Sequence, residues 1–285
     1  MFERARTTIA GVLLTLLLFA STTVVAAKEI RVFDELDGRL RVPAGDTVPV
    51  GAVLMLHGFN DDRDGVGDLQ RRLAEALAAR GVASLRFDFS GEGERAGFVV
   101  TSTHASRRAE AARAHALLRQ RWPGVPIGVL GWSLGGLTAM TLGAAHPDWF
   151  ASMVIWSGAR AMNRSGDPAY SAAVRTAMAE GRAVYRDWTD ITLTREHLSS
   201  YVGVDASDGL ERYPGSFLAI RGDRDHLPRL DPDWLARLPT DDKAFLLLGG
   251  ADHIFNVLDA TSVHGDRVIE ATAAWFARTL ERDAR

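Results

Sequence analysis

The stretch from Val125 to His146 reads VPIGVLGWSLGGLTAMTLGAAH and decides the fold. A short apolar run, Ile127 to Leu130, leads into Gly131-Trp132-Ser133-Leu134-Gly135, and small, helix-forming residues continue to Ala145. This order predicts a buried strand, a sharp turn and a helix, with glycines where a side chain would collide with neighbouring backbone. The pattern indicates that Ser133 stands at the apex of the turn as a nucleophile. The alternative is that it only caps the helix.

On both sides of this stretch, apolar runs of strand length alternate with segments of helical periodicity. Such alternation implies right-handed crossovers and parallel strands, and a run as continuously apolar as 50–56 is typical of a strand buried on both faces. We therefore predict an α/β fold with a mostly parallel central sheet flanked by helices. The other predicted strands are 82–87, 127–130, 151–156, 216–221 and 244–248, and the predicted helices are 67–80, 106–121, 232–238 and 263–280.

Two segments lie outside this alternation. Residues 28–43 alternate apolar and polar residues around Asp37-Gly38, which predicts an antiparallel hairpin with a two-residue type I′ turn. Residues 158–213 are polar, rich in tyrosine and only weakly periodic. A long insertion on a regular scaffold is usually functional, so we predict a small cap over this range. The alternative is a helical excursion that only covers the sheet edge.

The N-terminal residues have the composition of a targeting segment. Arg4 and Arg6 precede an apolar core at 9–20, and the small residues 25–27 suit signal peptidase. We predict a signal peptide over 1–27 and a single domain over 28–285, in a secreted or periplasmic protein with no stable membrane association after cleavage. The alternative is an uncleaved N-terminal membrane anchor, because 9–27 is nearly long enough to span a bilayer.

Composition excludes several classes of site. With Cys 0, neither a disulfide nor a thiolate metal site is possible. The formal net charge of -3 and the scattered basic residues give no indication of nucleic-acid binding. His104, His115 and His146 do not form a zinc-binding pair at helical spacing. We therefore expect neither a metal nor an organic cofactor, and the sequence gives no indication of oligomeric state.

A serine hydroxyl needs a base within hydrogen-bond reach and an acid that orients the base. Downstream of Ser133, the sequence offers RGDRD at 221–225 and GGADH at 249–253. Each follows the carboxyl end of a predicted strand, where ligands bind in open α/β sheets, so these segments converge on Ser133. The order serine, acid, histidine suits a nucleophile at such a turn. His253 is the candidate base, and Asp223 and Asp225 are both candidate acids.

Five motifs together carry a resemblance to a known superfamily. They are HGF at 57–59, FDFSGEG at 87–93, GWSLGG at 131–136, GDRD at 222–225 and GADHIF at 250–255. With these motifs the chain resembles the α/β-hydrolases over about residues 30–280. Within that superfamily it looks most like small feruloyl- and cinnamoyl-type esterases and serine aminopeptidase-like lipases.

The resemblance implies a catalytic role for each matching position. Ser133 matches the nucleophile and His253 the general base. The fourth position of GDRD normally carries the acid, which favours Asp225, although a shift in the turn would favour Asp223 instead. His226 is disfavoured as the base because it lies beside the acid.

The same resemblance implies an oxyanion hole of two backbone N–H groups, those of Phe59 and Leu134. Because both donors are main-chain groups, the side chains at these positions are free to vary. His57 is expected to be a structural loop residue bonded to the backbone. Asp88 is expected to fix its loop, and Asp252 to stabilise a turn. Glu92 stands where relatives usually have histidine, so the analogy on the substrate side is weaker there.

These residues predict a serine hydrolase that cleaves a small-molecule carboxylic ester through an acyl-enzyme. Trp132, Trp156 and Trp188 are the candidate substrate-binding residues, although Trp132 and Trp156 also suit the core. The alternatives are an amide- or peptide-cleaving enzyme on the same scaffold and a non-catalytic binding protein. An amide-cleaving enzyme would call for an acidic, amine-binding site or a larger cap domain, and the sequence shows neither.

Overall fold

The computed structural model describes residues 26–45, 47–162 and 167–283. The signal peptide predicted for residues 1–27 lies outside the described residues, apart from Ala26 and Ala27. Among the described residues, no helix combines the length and apolar character needed to cross a membrane.

The described chain alternates strands and helices, as the apolar periodicity predicts. The strands are β1 (Lys28–Val32), β2 (Gly38–Val42), β3 (Gly51–Leu56), β4 (Val82–Arg86), β5 (Val99–Val100), β6 (Ile127–Trp132), β7 (Ser152–Trp156), β8 (Arg182–Arg186), β9 (Asp190–Thr194), β10 (Ser216–Gly222) and β11 (Lys243–Leu248). The α-helices are α1 (Leu69–Ala78), α2 (His104–Arg121), α3 (Leu134–Ala145), α4 (Pro168–Glu180), α5 (Arg195–Ser200), α6 (Asp231–Arg237) and α7 (His264–Asp283).

The central sheet has eight strands in the order β1-β2-β4-β3-β6-β7-β10-β11. From β4 to β11 each neighbouring pair is parallel, whereas β1, β2 and β4 pair antiparallel at one edge. The inner strands β3, β4, β6 and β7 are buried at every position because helices cover both faces. The structure therefore confirms the predicted mostly parallel α/β architecture.

Two apolar cores lie on opposite faces of the sheet. On one face α2, α3 and α6 pack through residues such as Leu118, Leu137 and Trp234. On the other face α1 and α7 pack through residues such as Leu73 and Phe276. With both faces covered, the carboxyl ends of the parallel strands are left as the edge where loops can form a site.

The hairpin over 28–43 forms, but the predicted two-residue turn is wrong. Val32 pairs with Gly38, so the connection runs over five residues, 33–37, and includes a short 3₁₀ turn at Asp34–Leu36. Leu36 is 1% exposed and packs in the core, and its carbonyl accepts a hydrogen bond of 2.8 Å from Asp88 N. A longer connection is needed because it carries this apolar side chain into the core.

Between β7 and β10 the chain leaves the central sheet and builds a small subdomain, in the range predicted as a cap. There α4, β8, β9 and α5 follow one another, and β8 and β9 join β5 in a separate sheet of three strands. The subdomain has its own core, which includes Tyr170, Tyr185 and Leu193, and Phe59 packs against it. This packing brings the subdomain against the loop that follows β3.

Candidate active site

Ser133 stands at a strained turn between β6 and α3. It is not a glycine, yet its φ is 52° and its ψ is -114°. Backbone bonds hold it in place: Ser133 N donates to Trp156 O at 2.9 Å, and Ala159 N donates to Ser133 O at 3.0 Å. Strain of this kind persists only where surrounding structure fixes it, and it often marks functional positions.

The glycines around Ser133 allow close packing of three backbones. A Cβ on Gly131 would lie 2.6 Å from Gly136 Cα, and a Cβ on Gly135 would lie 2.6 Å from His57 O. Real Cβ atoms do not approach backbone so closely, so α3 can lie against β6 and β3 only with glycine at both positions.

His253 lies within hydrogen-bond distance of Ser133 on one side and of Asp225 on the other. Its Nε2 is 3.1 Å from Ser133 Oγ, and its Nδ1 is 2.8 Å from Asp225 Oδ1. In this arrangement Nδ1–H donates to the carboxylate, which leaves Nε2 free to accept the serine proton. The structure thus brings together residues that the chain separates by 120 and 28 positions.

A buried arginine holds Asp225. The Asp225 side chain is 1% exposed and accepts a hydrogen bond of 2.7 Å from Arg221 Nη1 and one of 2.9 Å from Leu227 N. Although burial favours the neutral carboxyl, the hydrogen bond with His253 and the Arg221 charge hold the pKa of Asp225 below its usual value. Arg221 also donates to Asp231 Oδ2 and to Gly158 O, each at 2.6 Å. These hydrogen bonds fix the position of Arg221, and its charge helps to keep Asp225 ionised.

The competing residues lie elsewhere. Asp223 is exposed, and its Oδ1 accepts from Gly250 N at 2.7 Å, whereas the two His253 ring nitrogens bond to Asp225 and Ser133. Asp252 accepts from Ile254 N and Asn256 N and stabilises its turn. His226 packs beside His253 with ring centroids 4.5 Å apart, and its side chain is 51% exposed. The three residues that hydrogen bonds connect are therefore Ser133, His253 and Asp225.

The two predicted oxyanion donors belong to segments that lie next to Ser133. Leu134 is the first residue of α3, where backbone N–H groups have no intrahelical partner. Phe59 follows Gly58, and a Cβ on Gly58 would lie 3.6 Å from Ser133 Cβ, so this loop lies against the serine. Within the described part of the chain, neither the Phe59 nor the Leu134 N–H donates a hydrogen bond to another backbone group.

His57, at the start of that loop, bonds to backbone as the sequence predicts. Phe89 N donates to its Nε2 at 2.9 Å, so the proton is on Nδ1, which donates to Gly58 O at 2.8 Å. The ring is fully buried, and burial lowers its pKa, which keeps it neutral. Asp88 also fixes its loop, accepting from Arg63 N at 2.8 Å.

A buried ion pair, which sequence reasoning missed, lies behind the same loop. The side chains of Glu92 and Arg107 form a salt bridge in which both are 0% exposed. Burial favours the neutral acid, but the Arg107 charge holds the pKa of Glu92 below its usual value. The departure from histidine at Glu92 was the only signal in the sequence, and nothing there pointed to Arg107 as its partner.

A cleft of about 290 Å³ opens beside Ser133. Trp188, at the tip of the β8–β9 hairpin, is 66% exposed and packs edge-on against Phe98 with ring centroids 5.2 Å apart. Trp132, which is buried, also lines the cleft. Asp61, which no sequence motif indicated, also lines the cleft, and burial raises its pKa to about 7. The remaining lining residues include Phe59, Asn60, Val66, Asp187, His226, His253 and Ile254.

Trp156, the third predicted substrate-binding tryptophan, does not reach the cleft, so its prediction as a substrate contact needs correction. Its ring is 0% exposed and packs edge-on beneath Trp132 with centroids 5.7 Å apart. Its Nε1–H donates to Thr272 Oγ1 of α7 at 2.9 Å. Trp156 is the last residue of β7, and it packs in the core on the face of the sheet that α1 and α7 cover.

One group of side chains among the described residues is close enough to share a cation. It consists of Asp225, His226 and His253, with one ligand atom from each within 4.8 Å of the others. His253 already directs its two ring nitrogens at Asp225 and Ser133. Since a metal ligand would have to give up one of these bonds, the geometry favours proton transfer over metal binding at this group.

Comparisons with known proteins identify the family and support the fold. The family model described as "Serine aminopeptidase, S33" matches residues 47–240. No curated protein matches the chain. Among solved structures, a monoacylglycerol lipase from Paleococcus ferrophilus is 19% identical with a TM-score of 0.65, over 81% of this chain and 96% of that one. Est1E from Butyrivibrio proteoclasticus, with ferulic acid bound, is 17% identical with a TM-score of 0.65, over 86% and 95%. A dienelactone hydrolase from Anabaena variabilis is 20% identical with a TM-score of 0.58, over 89% and 99%.

Proposed function

The chain belongs to the serine aminopeptidase family of α/β-hydrolases, and from this premise we propose that it is an exported serine hydrolase that cleaves small carboxylic esters. One observation carries the proposal: Ser133 Oγ, His253 and Asp225 form a continuous hydrogen-bonded series at the mouth of a cleft. A nucleophile, its base and the group that orients the base are the minimum that acyl transfer requires.

In the first half of the reaction, Ser133 Oγ attacks the ester carbonyl while His253 Nε2 takes its proton. In this proposal, the N–H groups of Phe59 and Leu134 donate to the oxygen on which negative charge develops. Each such donor contributes roughly 3–4 kcal/mol of transition-state stabilisation in other enzymes. Protonated His253 is stabilised by Asp225 and then gives its proton to the departing alcohol, which leaves an acyl group on Ser133.

In the second half, water replaces the alcohol. His253 takes a proton from water, the resulting hydroxide attacks the acyl carbonyl, and the proton returns to Ser133 as the acid leaves. Trp132, Val66 and Ile254 give the cleft an apolar lining, to which the exposed Trp188 also contributes. This lining supports a short aliphatic or aromatic acid as the acyl group.

The test is hydrolysis of p-nitrophenyl butyrate by the purified protein beside its Ser133→Ala variant. We expect the variant to lose activity by at least about 10³-fold, because the nucleophile is gone and only binding and oxyanion stabilisation remain. Its melting temperature should stay within about 2 °C of the wild type, since only one side-chain hydroxyl is removed. Retention of most of the activity by Ser133→Ala would rule out the mechanism.

An amide-cleaving hydrolase is the second candidate, and Asp61 is the observation that favours it. A carboxyl group in the cleft offers the acidic contact that an amine on a peptide-like substrate needs. The same assay with an aminoacyl p-nitroanilide separates the candidates: a larger kcat/KM for the anilide than for the ester would favour amide cleavage. Inactivity of the wild type on both substrates would favour a non-catalytic binding protein.

Export rests on the composition of residues 1–27, which supports a cleaved signal peptide in a secreted or periplasmic protein. We propose that the domain spans 28–285 and that the cap occupies about 158–213. The mass of the protein recovered from the cell envelope or medium tests the cleavage: a chain that still carried residues 1–27 would favour the membrane anchor.

A further inference from the structure

We propose that the buried Glu92–Arg107 pair positions the oxyanion hole, so that both are positioning residues for the reaction. The inference rests on the proposed function, because it concerns the same site. Neither residue touches the cleft; each acts through the main-chain segments that carry the Phe59 and Leu134 N–H groups.

The pair holds the Phe59 segment at both ends. Arg107 Nη2 donates to His57 O at 2.6 Å, two residues before Phe59. Asn60 N, one residue after Phe59, donates to Glu92 Oε2 at 2.8 Å. The Asn60 side chain links the same two segments a second time, since its Oδ1 accepts a hydrogen bond of 3.0 Å from Gly93 N, next to Glu92. With both flanking peptides bonded, the Phe59 peptide between them has little freedom to rotate.

The same arginine reaches the Leu134 segment. Arg107 Nε donates to Thr138 Oγ1 at 3.3 Å, and Thr138 Oγ1 donates to Leu134 O at 3.1 Å. One guanidinium therefore connects the loop after β3 with the first turn of α3. The two proposed donors lie on these two segments, and their separation decides whether both can bond to one oxygen.

The surroundings keep this geometry rigid. The guanidinium carbon lies 3.8 Å from the centre of the Phe89 ring, which packs over its face. The ion pair is fully buried, so water cannot replace any of these hydrogen bonds. A lysine cannot reproduce the arrangement, because its single nitrogen cannot serve His57 O, Glu92 and Thr138 with the planar fork that arginine provides.

The test compares Arg107→Lys and Glu92→Gln with the wild type in the p-nitrophenyl butyrate assay. We expect kcat to fall roughly 30- to 300-fold in Arg107→Lys, with KM changed by less than about threefold, because a displaced donor weakens the transition state more than the bound substrate. Glu92→Gln keeps an oxygen that can accept from Asn60 N but loses the charge, so its kcat should fall less.

Arg86→Lys is the matched control. Arg86 of β4 is also a buried arginine, with a side chain 2% exposed. It pairs with Glu29 of β1 and with Asp64, further along the loop after β3, and its side chain makes no hydrogen bond to residues 57–60 or 134–138. It should lose stability but keep kcat. If a folded Arg107→Lys kept its kcat, or lost no more than Arg86→Lys, the inference would be overturned. Should Arg107→Lys fail to fold, the split between kcat and KM in Glu92→Gln decides.

A fluorophosphonate probe separates failure of this inference from failure of the proposed function. Ser133 Oγ displaces fluoride from phosphorus, and the phosphoryl oxygen of the adduct occupies the oxyanion hole, whatever the natural substrate. If the wild type reacts with the probe but does not hydrolyse the ester, slower labelling of Arg107→Lys still supports the inference, and equal labelling overturns it. A wild type that neither hydrolyses nor reacts would overturn both.

Discussion

Asp223 and Asp225 are two positions apart and make different contacts. Asp225 turns inward to Arg221 and His253, whereas Asp223 turns outward to the backbone at Gly250. Charge alone does not distinguish them, since both are carboxylates on one turn. The contacts decide, because only a carboxylate bonded to Nδ1 holds the imidazole in the tautomer that can accept the serine proton.

Asp225→Asn should therefore lower kcat by about 10³–10⁴-fold, because an amide cannot hold that tautomer or stabilise the imidazolium. Steady-state kinetics on p-nitrophenyl butyrate measures the loss. Asp223→Asn is the matched control on the same turn, and we expect its kcat to stay within about threefold of the wild type. The reverse ranking would assign the acid to Asp223.

Among the secondary-structure elements, the junction of β3, β6 and α3 carries a severe packing constraint. Gly135 lies in the first turn of α3 against the backbone of Leu56 and His57. A Cβ on Gly143, two turns further on, would lie 2.6 Å from the flexible end of Met153, at Cε, and at an ordinary contact distance of 3.4 Å from Tyr213 Cδ2. Replacing each glycine by alanine distinguishes the cost of a clash with backbone from the gain in helix propensity.

Gly135→Ala should destabilise the protein by roughly 2–3 kcal/mol and remove most of the activity, because the added methyl pushes α3 away from β3. Gly143→Ala should be nearly neutral in stability and activity, since alanine gains roughly 1 kcal/mol of helix propensity while Met153 moves aside. Urea unfolding and ester hydrolysis check both variants. An active, stable Gly135→Ala would show that the junction tolerates an extra methyl group.

At the level of the whole molecule, buried titratable groups set how stability depends on pH. Burial lowers the pKa of His57, His115 and His197, and it lowers the pKa of His104 to about 4. A histidine with a lowered pKa in the folded protein contributes stability at pH values above 6.5, its pKa in the unfolded chain. This contribution is lost as pH falls below 6.5. Asp61 has the opposite sign, because its pKa is raised from 3.8 to about 7 and its contribution is lost as pH rises across that interval.

Burial also raises the pKa of Asp231, so four histidines oppose two aspartates. Because the histidines outnumber the aspartates, we expect the melting temperature to fall as pH drops from 6.5 towards 4. Calorimetry at closely spaced pH values measures it. Asp61→Asn should steepen the acid loss and raise stability at pH values above about 7. A melting temperature that rose between pH 6.5 and 5 would contradict this balance.

Much of this architecture can be read from the chain before folding. Local patterns predict the strands at 50–56 and 127–130 and the helices. The spacing of apolar residues reflects whether one face or both faces of an element are buried, and it can be read from neighbouring residues alone. The turn at Ser133 is also visible in the chain, as glycines at 131 and 135 on either side of the serine, although the contact that requires Gly135 is with the distant residues Leu56 and His57. These patterns establish the α/β fold, the candidate nucleophile and the candidate base.

Other features depend on contacts between segments distant in the chain. The choice of Asp225 over Asp223, the core position of Trp156, the five-residue connection that buries Leu36 and the Glu92–Arg107 pair depend on which atoms meet after the sheet has closed. Local composition sets which residues are apolar, charged or free to turn. The direction of a side chain and the partner of a buried charge follow from packing of the whole chain, where an unpaired group is too costly to keep.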